Sequence, residues 1–319
     1  MKALITGIPG FVGSHLAELL LKKNSEVFGT CLACESLENI QPFKKRIELF
    51  ECDVTDFDRL KRLVKKIMPD QIYHLAAFSS VGKSFEKPLR VVEINVRGTL
   101  YLLDILKDIK KITRILVVGS TDVYGRVKKS QLPIKETCGL FPISPYGASK
   151  ACADVLAYQY FQSYGVNAIR TRSFNHTGPR QSRGFVIPDF ASQIARIHLG
   201  FSKPQMKVGN LEAKRDLSDV RDVVRAYHLL LQRGKPGEAY NVCSGKAFKI
   251  KYLLNHLLKL IPREIKVLKL KTAKRPVDIP VLLGDNKKIK KEVNWRPEIS
   301  IERTLEDTFE FWLQRYQRR

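Results

Sequence analysis

Cysteine, methionine and tryptophan are scarce in this chain: six, three and two in 319 residues. Only Cys31 and Cys34 stand in CxxC spacing. No second pair matches them and no helix start follows, which excludes a zinc ribbon or a thioredoxin-like motif and implies reduced, structural thiols without a metal. No apolar run reaches the roughly 18 residues of a membrane-spanning helix. The opening "MKALITGIPGF" enters a strand at once, leaving no room for the apolar stretch and cleavage site of a secretory leader. A soluble, cytoplasmic protein with no membrane partner is expected. Acidic residues are also few, 32 against 56 lysines and arginines, for a net charge of +24. Such an excess suits a nucleic acid, an anionic small substrate or a lysine-rich exterior. The basic residues are dispersed, with short clusters at 44–46 and 287–291, and no RNA- or DNA-binding motif accompanies them. Nucleic acid is therefore not expected as the main partner. Internal repeats and low-complexity linkers are missing too.

What remains is a globular composition, 44% hydrophobic and 28% charged, long enough for one large α/β domain or two interlocked lobes. Through residue 175, short β-branched runs ("KALIT", "EVFGTC", "IELFECD", "QIYHLAA", "RILVVGS", "NAIRTRSFN") alternate with helical patterns ("FVGSHLAELLLKK", "DFDRLKRLVKKI", "PLRVVEINVRGTLYLLDILKDI", "SPYGASKACADVLAYQYFQSYG"). Such alternation predicts an α/β, Rossmann-type doubly wound parallel sheet, with ligands beyond the carboxyl ends of the strands. The nucleotide-binding domain is expected over 1–174, with about 218–244 returning to it. Residues 175–319 are expected to form mainly a smaller substrate lobe, ending in an amphipathic helix capped by Ser300.

Gly7, Gly10 and Gly13 stand in GxxGxxG spacing between the first strand and the first helix. Glycines permit a tight turn and close backbone approach, and a helix N-terminus offers N–H groups to a pyrophosphate. The second strand ends on Cys31, where no carboxylate grips a ribose 2′-hydroxyl or repels a 2′-phosphate, so NADP(H) and NAD(H) are both open.

YxxxK occurs twice, as Tyr146–Lys150 in "YGASK" and Tyr124–Lys128 in "YGRVK". The first opens a helix, with Ser144 as cap and Pro145 in the first position, so phenol and amine share a face. A lysine there should favour phenolate over the free tyrosine's pKa of about 10. The second runs through Gly125 into a polar loop and is expected at the surface.

These motifs, with "GSTDVYG", "RSFNHTGPRQSRGFVIPDFASQIARI", "RDLSDVRDVVRAY" and "RPVDIPVLLGDNKKIKKEVNWRPEI", resemble the extended short-chain dehydrogenase/reductases over nearly the whole chain. The resemblance is to the members that act on GDP-sugars, the GDP-4-keto-6-deoxymannose reductases and the GDP-mannose 4,6-dehydratases. It implies a nicotinamide cofactor held by Gly7, Gly10, Phe11, Val12, Gly13, Asp53, Val54, Leu75, Ala76, Ala77, Tyr146 and Lys150. Tyr146 would transfer a proton to or from a sugar oxygen, Lys150 would hold the nicotinamide ribose, and Ser120 would hydrogen-bond the same oxygen. Asn175, Phe185, Val186, Arg215 and Arg275 would bind the nucleotide sugar, with guanidinium forks on its diphosphate. A homodimer through the helices at 88–107 and 144–164 is implied as well.

The dehydratases carry a glutamate, their C5 base, at the position of Asp122. Aspartate sets its oxygens roughly 1.5 Å further back, and a misplacement near 1 Å costs about a hundredfold. The expected activity is therefore NAD(P)H-dependent reduction of GDP-4-keto-6-deoxy-D-mannose to GDP-D-rhamnose. The alternatives are a 4,6-dehydratase or epimerase of the same family, or a basic Rossmann-fold binding protein with a vestigial site.

Overall fold

The computed structural model describes residues 1–270 and 279–318, so Arg275 lies outside the described residues. The chain divides into two units. The first comprises Met1–Ser173, Val224–Val242 and Asp285–Trp295. The last of these segments reads in the sequence as part of the C-terminal lobe.

Six strands of the first unit come in chain order: β1 (Lys2–Thr6), β2 (Glu26–Cys31), β3 (Ile47–Glu51), β4 (Gln71–His74), β5 (Arg114–Ser120) and β6 (Asn167–Ser173). With Ala239–Val242 they form one seven-stranded sheet, ordered Ala239–Val242, β6, β5, β4, β1, β2, β3, with every pairing parallel. Strand order reverses between β1 and β4, which opens a crevice beyond their carboxyl ends. The central strands β1 and β4 are buried almost throughout, with Ala3, Leu4, Ile5, Ile72 and Tyr73 packed on both faces and the polar Thr6 and His74 buried at their carboxyl ends.

Helices Phe57–Ile67, Gly98–Lys107 and Pro145–Tyr164 cover the sheet, with Leu60, Val64, Leu102, Leu103, Ala153 and Ala157 in one core with Leu4, Ile72, Ile115 and Ala168. Helix Pro145–Tyr164 starts where the sequence predicts. Ser144 accepts a hydrogen bond from the Gly147 amide at 3.0 Å, Pro145 takes the first position, and Gly165 in the left-handed region (φ 69°) ends it.

The second unit comprises Phe174–Val223, Cys243–Gly284 and Arg296–Arg319. Its core packs Ile187, Phe190 and Ile194 of helix Val186–His198 against Leu253 and Leu257 of Ile250–Leu258 and against Leu305, Phe309 and Trp312 of Ile301–Gln317. Ser300 caps the last of these helices, accepting from the Arg303 amide. Strand Lys214–Asp219 pairs with Ala247–Lys249, Val281–Leu282 and Asn175–Thr177. Among the described residues no helix is long and apolar enough to cross a membrane.

Candidate active site

The glycine turn is built for close packing. Gly7 takes φ +68°, and a Cβ there would stand 3.1 Å from the Ala76 Cα. A Cβ on Gly13 would fall 2.6 Å from the Gly7 carbonyl oxygen and 2.7 Å from that of Ile8. A side chain at Gly7 would be strained by the positive φ and crowded by Ala76, and one at Gly13 would clash with backbone; the first helix, Phe11–Lys22, begins directly on this turn. Phe11 and Val12 open that helix, half-buried. The Gly10 amide donates to the Gly7 carbonyl, and the Ser14 amide donates to the Gly10 carbonyl.

The neighbouring strand ends supply the rest of the crevice. Thr6 Oγ1 accepts from the amides of Leu75 and Ala76, both at 3.1 Å. Leu75, Ala76 and Ala77 are half-buried beside the turn. Cys31 closes β2 with a buried thiol, pushed up by burial and by the Glu35 carboxylate. Asp53 is exposed beyond β3, accepting from the Thr55 amide and hydroxyl, and Val54 beside it is buried.

At the end of β5, Ser120 caps the short turn Thr121–Tyr124. Its Oγ accepts from the Asp122 amide at 3.2 Å and donates to Asp122 Oδ2 at 2.9 Å. A Cβ on Gly147 would stand 2.7 Å from the Asp122 carbonyl oxygen, so the first turn of helix Pro145–Tyr164 rests directly on this turn. That contact brings Tyr146 to Ser120 and Asp122. The Tyr146 phenol is pushed well above its ordinary value by burial and then by the Asp122 carboxylate, while a hydrogen bond with Ser120 acts the other way. The lysine effect expected from the sequence does not prevail. Lys150, one turn along, is buried, donates from Nζ to the Val118 carbonyl at 2.8 Å, and is pushed down by burial to about 8.

A second phenol stands close by. Tyr227 influences Tyr146 electrostatically. Its hydroxyl lies 2.7 Å from the Oγ of Ser173, and Ser173 is the register partner of Ser120 across the sheet. Burial raises the Tyr227 phenol to about 12.

Tyr124 is not at the surface. It is 1% exposed, its hydroxyl donates to Asn241 Oδ1 at 2.7 Å, and the Arg172 guanidinium lies over its ring, 5.3 Å from the centroid. Gly125, at φ +62°, turns the chain immediately after it, so the ring faces inward while Lys128 stays exposed. Its YxxxK spacing thus carries no helical geometry, and the ring serves as a core contact.

In the second unit, Asn175 pairs in register with Leu217, two residues from Arg215 on the same neighbouring strand. Asn175 is exposed and Arg215 half-exposed, with Nη1 donating to the carbonyls of Lys214 and Ile279. Asp216 behind it is fully buried, accepting from the Ser244 amide and hydroxyl and from the amides of Gly245 and Gly284. Phe185 and Val186, at the start of helix Val186–His198, are 40% and 41% exposed.

Thr6, His74, Asn95 and Thr99, which no motif in the sequence singles out, are buried polar residues linked to one another. The signal the sequence offers is a polar residue directly after apolar ones at a strand end, Thr6 after Leu4 and Ile5 and His74 after Ile72 and Tyr73.

A parallel sheet with its glycine turn at the strand-order reversal, and a serine, tyrosine and lysine gathered at the next strand end, define an enzyme of the extended short-chain dehydrogenase/reductase type. Within that type, the chain belongs to the family described as GDP-mannose 4,6 dehydratase, whose model matches residues 4–308. It is 34% identical over 311 residues to a GDP-6-deoxy-D-mannose reductase from Pseudomonas aeruginosa, covering 98% of this chain and 97% of the relative. A GDP-mannose 4,6-dehydratase from Yersinia enterocolitica is 32% identical, with 94% and 91% covered. Among solved structures, RMD from Pseudomonas aeruginosa complexed with NADPH superposes with a TM-score of 0.85 at 33% identity, covering 98% of this chain and 99% of that one.

Proposed function

We propose that this enzyme reduces the 4-keto group of GDP-4-keto-6-deoxy-D-mannose to the alcohol, giving GDP-D-rhamnose, with NADPH or NADH as reductant. A carbonyl reduction needs one hydride on carbon and one proton on oxygen. The nicotinamide, when bound, supplies the hydride. The turn at Gly7, Gly10, Phe11, Val12 and Gly13 would hold the pyrophosphate, Asp53 and Val54 the adenosine, and Leu75, Ala76 and Ala77 would line the crevice. The tight turn, with Gly7 at φ +68° and Gly13 packed against the carbonyls of Gly7 and Ile8 where the first helix begins, supports this fit.

The chain's own residues manage the proton. Tyr146 is held as a neutral phenol by burial and by the Asp122 charge, which is the state a proton donor to the ketone oxygen must have. The proposal is carried by the placement of these groups: the start of helix Pro145–Tyr164 rests on the Thr121–Tyr124 turn, which sets Tyr146 beside Ser120 with Lys150 one turn along. Ser120 would share that oxygen, and Lys150 would hold the nicotinamide ribose. Asn175, Phe185, Val186, Arg215 and Arg275 would bind the GDP portion, a reading supported by the resemblance of their segments and by the fit of guanidinium to phosphate. Purified enzyme given the ketosugar should oxidise NADPH or NADH one for one with product. Absence of oxidation with either cofactor would overturn the proposal.

A second reading, 4,6-dehydration of GDP-mannose with a retained oxidised cofactor, draws on the family's dehydratases and on the place of Asp122. Its carboxylate already accepts the Ser120 proton and is a methylene shorter than the glutamate base. Reduction is therefore favoured. Product from GDP-mannose without added reductant would reverse that order.

The proposal includes a cytoplasmic homodimer. Leu89 (86% exposed) and Val92 (49%) on Pro88–Val92, with Val155 (56%) and Tyr158 (45%) on Pro145–Tyr164, give these helices of one unit outward apolar side chains suited to a second copy.

A further inference from the structure

We infer that His74, held as the neutral Nε2–H tautomer, is a positioning residue that ties the dinucleotide crevice to the helix bearing Tyr146 and Lys150. The directions of the surrounding hydrogen bonds fix that tautomer. A threonine hydroxyl has one proton to give. Thr6 Oγ1 already accepts from the amides of Leu75 and Ala76, so its own proton goes to His74 Nδ1 at 2.9 Å. Nδ1 is thereby an acceptor, and the ring proton sits on Nε2. From there it is donated to Thr99 Oγ1 at 3.1 Å, and Thr99 gives its own proton to the Asn95 carbonyl at 2.6 Å. Each bond runs in one direction only.

The chain continues into the helix of Tyr146. Asn95 Nδ2 donates to Ser149 Oγ at 2.9 Å, and Ser149 Oγ donates to the Tyr146 carbonyl at 2.7 Å. Asn95 also grips the backbone of Phe78, accepting from its amide at 2.7 Å and donating to its carbonyl at 3.2 Å. The loop after β4 is thus pinned at two places, at Leu75 and Ala76 by Thr6 and at Phe78 by Asn95. His74 joins the two pins. Thr6, His74, Asn95, Thr99 and Ser149 are each at most 3% exposed, so water cannot replace a lost link without entering the core.

Burial pushes the imidazole down to about 3, and the Lys150 charge adds to the effect. This agrees with a ring that stays neutral and never acts as an acid. A histidine without an exchangeable role, next to no ligand, would tolerate an apolar replacement of similar size. One that transmits position would not. The role rests on the reading of the chain as a nicotinamide-dependent enzyme but not on which sugar it reduces.

The test compares His74→Leu, which can neither accept nor donate, with His74→Gln, whose amide can do both. Tyr73→Phe is the control, because it deletes a neighbouring buried bond to Gln71 on the same strand and leaves the His74 links alone. The readouts are the NADPH dissociation constant by fluorescence and kcat for the ketosugar. His74→Leu should weaken NADPH and lower kcat, each by about tenfold or more, as expected for misplacement of under 1 Å. His74→Gln should recover both to within about threefold, and Tyr73→Phe should change stability alone. If the leucine variant fails to fold, Thr99→Val removes the acceptor of the Nε2 proton and should weaken NADPH likewise. Loss of stability in His74→Leu with unchanged NADPH affinity and kcat, or equal losses in Tyr73→Phe, would overturn the inference. A wild type that binds NADPH yet reduces no ketosugar, with the same ranking of dissociation constants among the variants, would leave the His74 role standing and remove the proposed substrate.

Discussion

Ser120 Oγ stands 2.9 Å from Asp122 Oδ2 and gives it its proton, while the Asp122 amide donates back to the same oxygen at 3.2 Å. One lone pair of the serine is left for the Tyr146 hydroxyl while the phenol is neutral. Asp122 is therefore an orienting acceptor and a source of negative charge beside the phenol. It is not a free base waiting for a proton on carbon.

Asp122→Asn keeps an acceptor for Ser120 but removes the charge that raises the phenol. A proton donor works only below its own pKa, so activity falls as pH rises through the Tyr146 value. Removing Asp122's charge lowers that value, and the alkaline limb of the kcat/KM profile should move to lower pH, with residual reductase activity at neutral pH. If Asp122 were instead the base of a dehydratase, the same variant would lose all product formation from GDP-mannose.

Tyr146→Phe removes the proton donor and leaves the glycine turn untouched. Turnover should fall by about 10²- to 10⁴-fold, while NADPH affinity stays within about twofold of wild type, since that loss lies in the proton step. A single-turnover assay with a parallel fluorescence titration checks both.

Lys150 is an ammonium group kept in the core. Its folded value of about 8 lies below the ordinary 10.5, so below pH 8 the folded state bears the cost of a buried charge. That cost is relieved as pH rises from 8 to 10.5, because the folded lysine then loses its proton before the unfolded one. Lys150→Met should raise stability at pH 7 by up to about 3 kcal/mol, less what the orphaned Val118 carbonyl costs, while activity disappears. Urea titrations at pH 7 and pH 10 measure it, and the gain should shrink at the higher pH.

Much of this was legible in the sequence because local chemistry and global fold agree. The strand–helix alternation, the glycine triplet and the Ser144-Pro145 helix start each depend on a few adjacent residues. What stayed hidden depends on partners far along the chain. Tyr124 turns inward to meet Asn241 and Arg172, 117 and 48 residues away, and spacing carries no trace of such pairings. Asp285–Trp295 belongs to the first unit, although its lysine-rich run suggests exterior, because Ile289, Val293 and Trp295 are buried there. The role of His74 leaves no trace in the sequence either, because it depends on hydrogen bonds to Thr6 and Thr99, 68 and 25 residues away.

In the proposed dimer the outward residues on Pro88–Val92 and Pro145–Tyr164 meet a second copy. Wild-type protein should sediment as a dimer, and Leu89→Glu with Val155→Glu should shift it to monomer, since charges buried unpaired in an apolar interface are strongly disfavoured. A wild-type monomer at micromolar concentration would remove the dimer from the account.

The central claim is hydride delivery to the sugar's C4 with a proton from Tyr146. NADPH deuterated in turn at each C4 position, incubated with the ketosugar, tests it directly. One of the two labelled forms should place a single deuterium at C4 of the reduced sugar in wild type, and Tyr146→Phe should yield almost no labelled product. Unlabelled product from both forms, or product made from GDP-mannose with no reductant present, would contradict it.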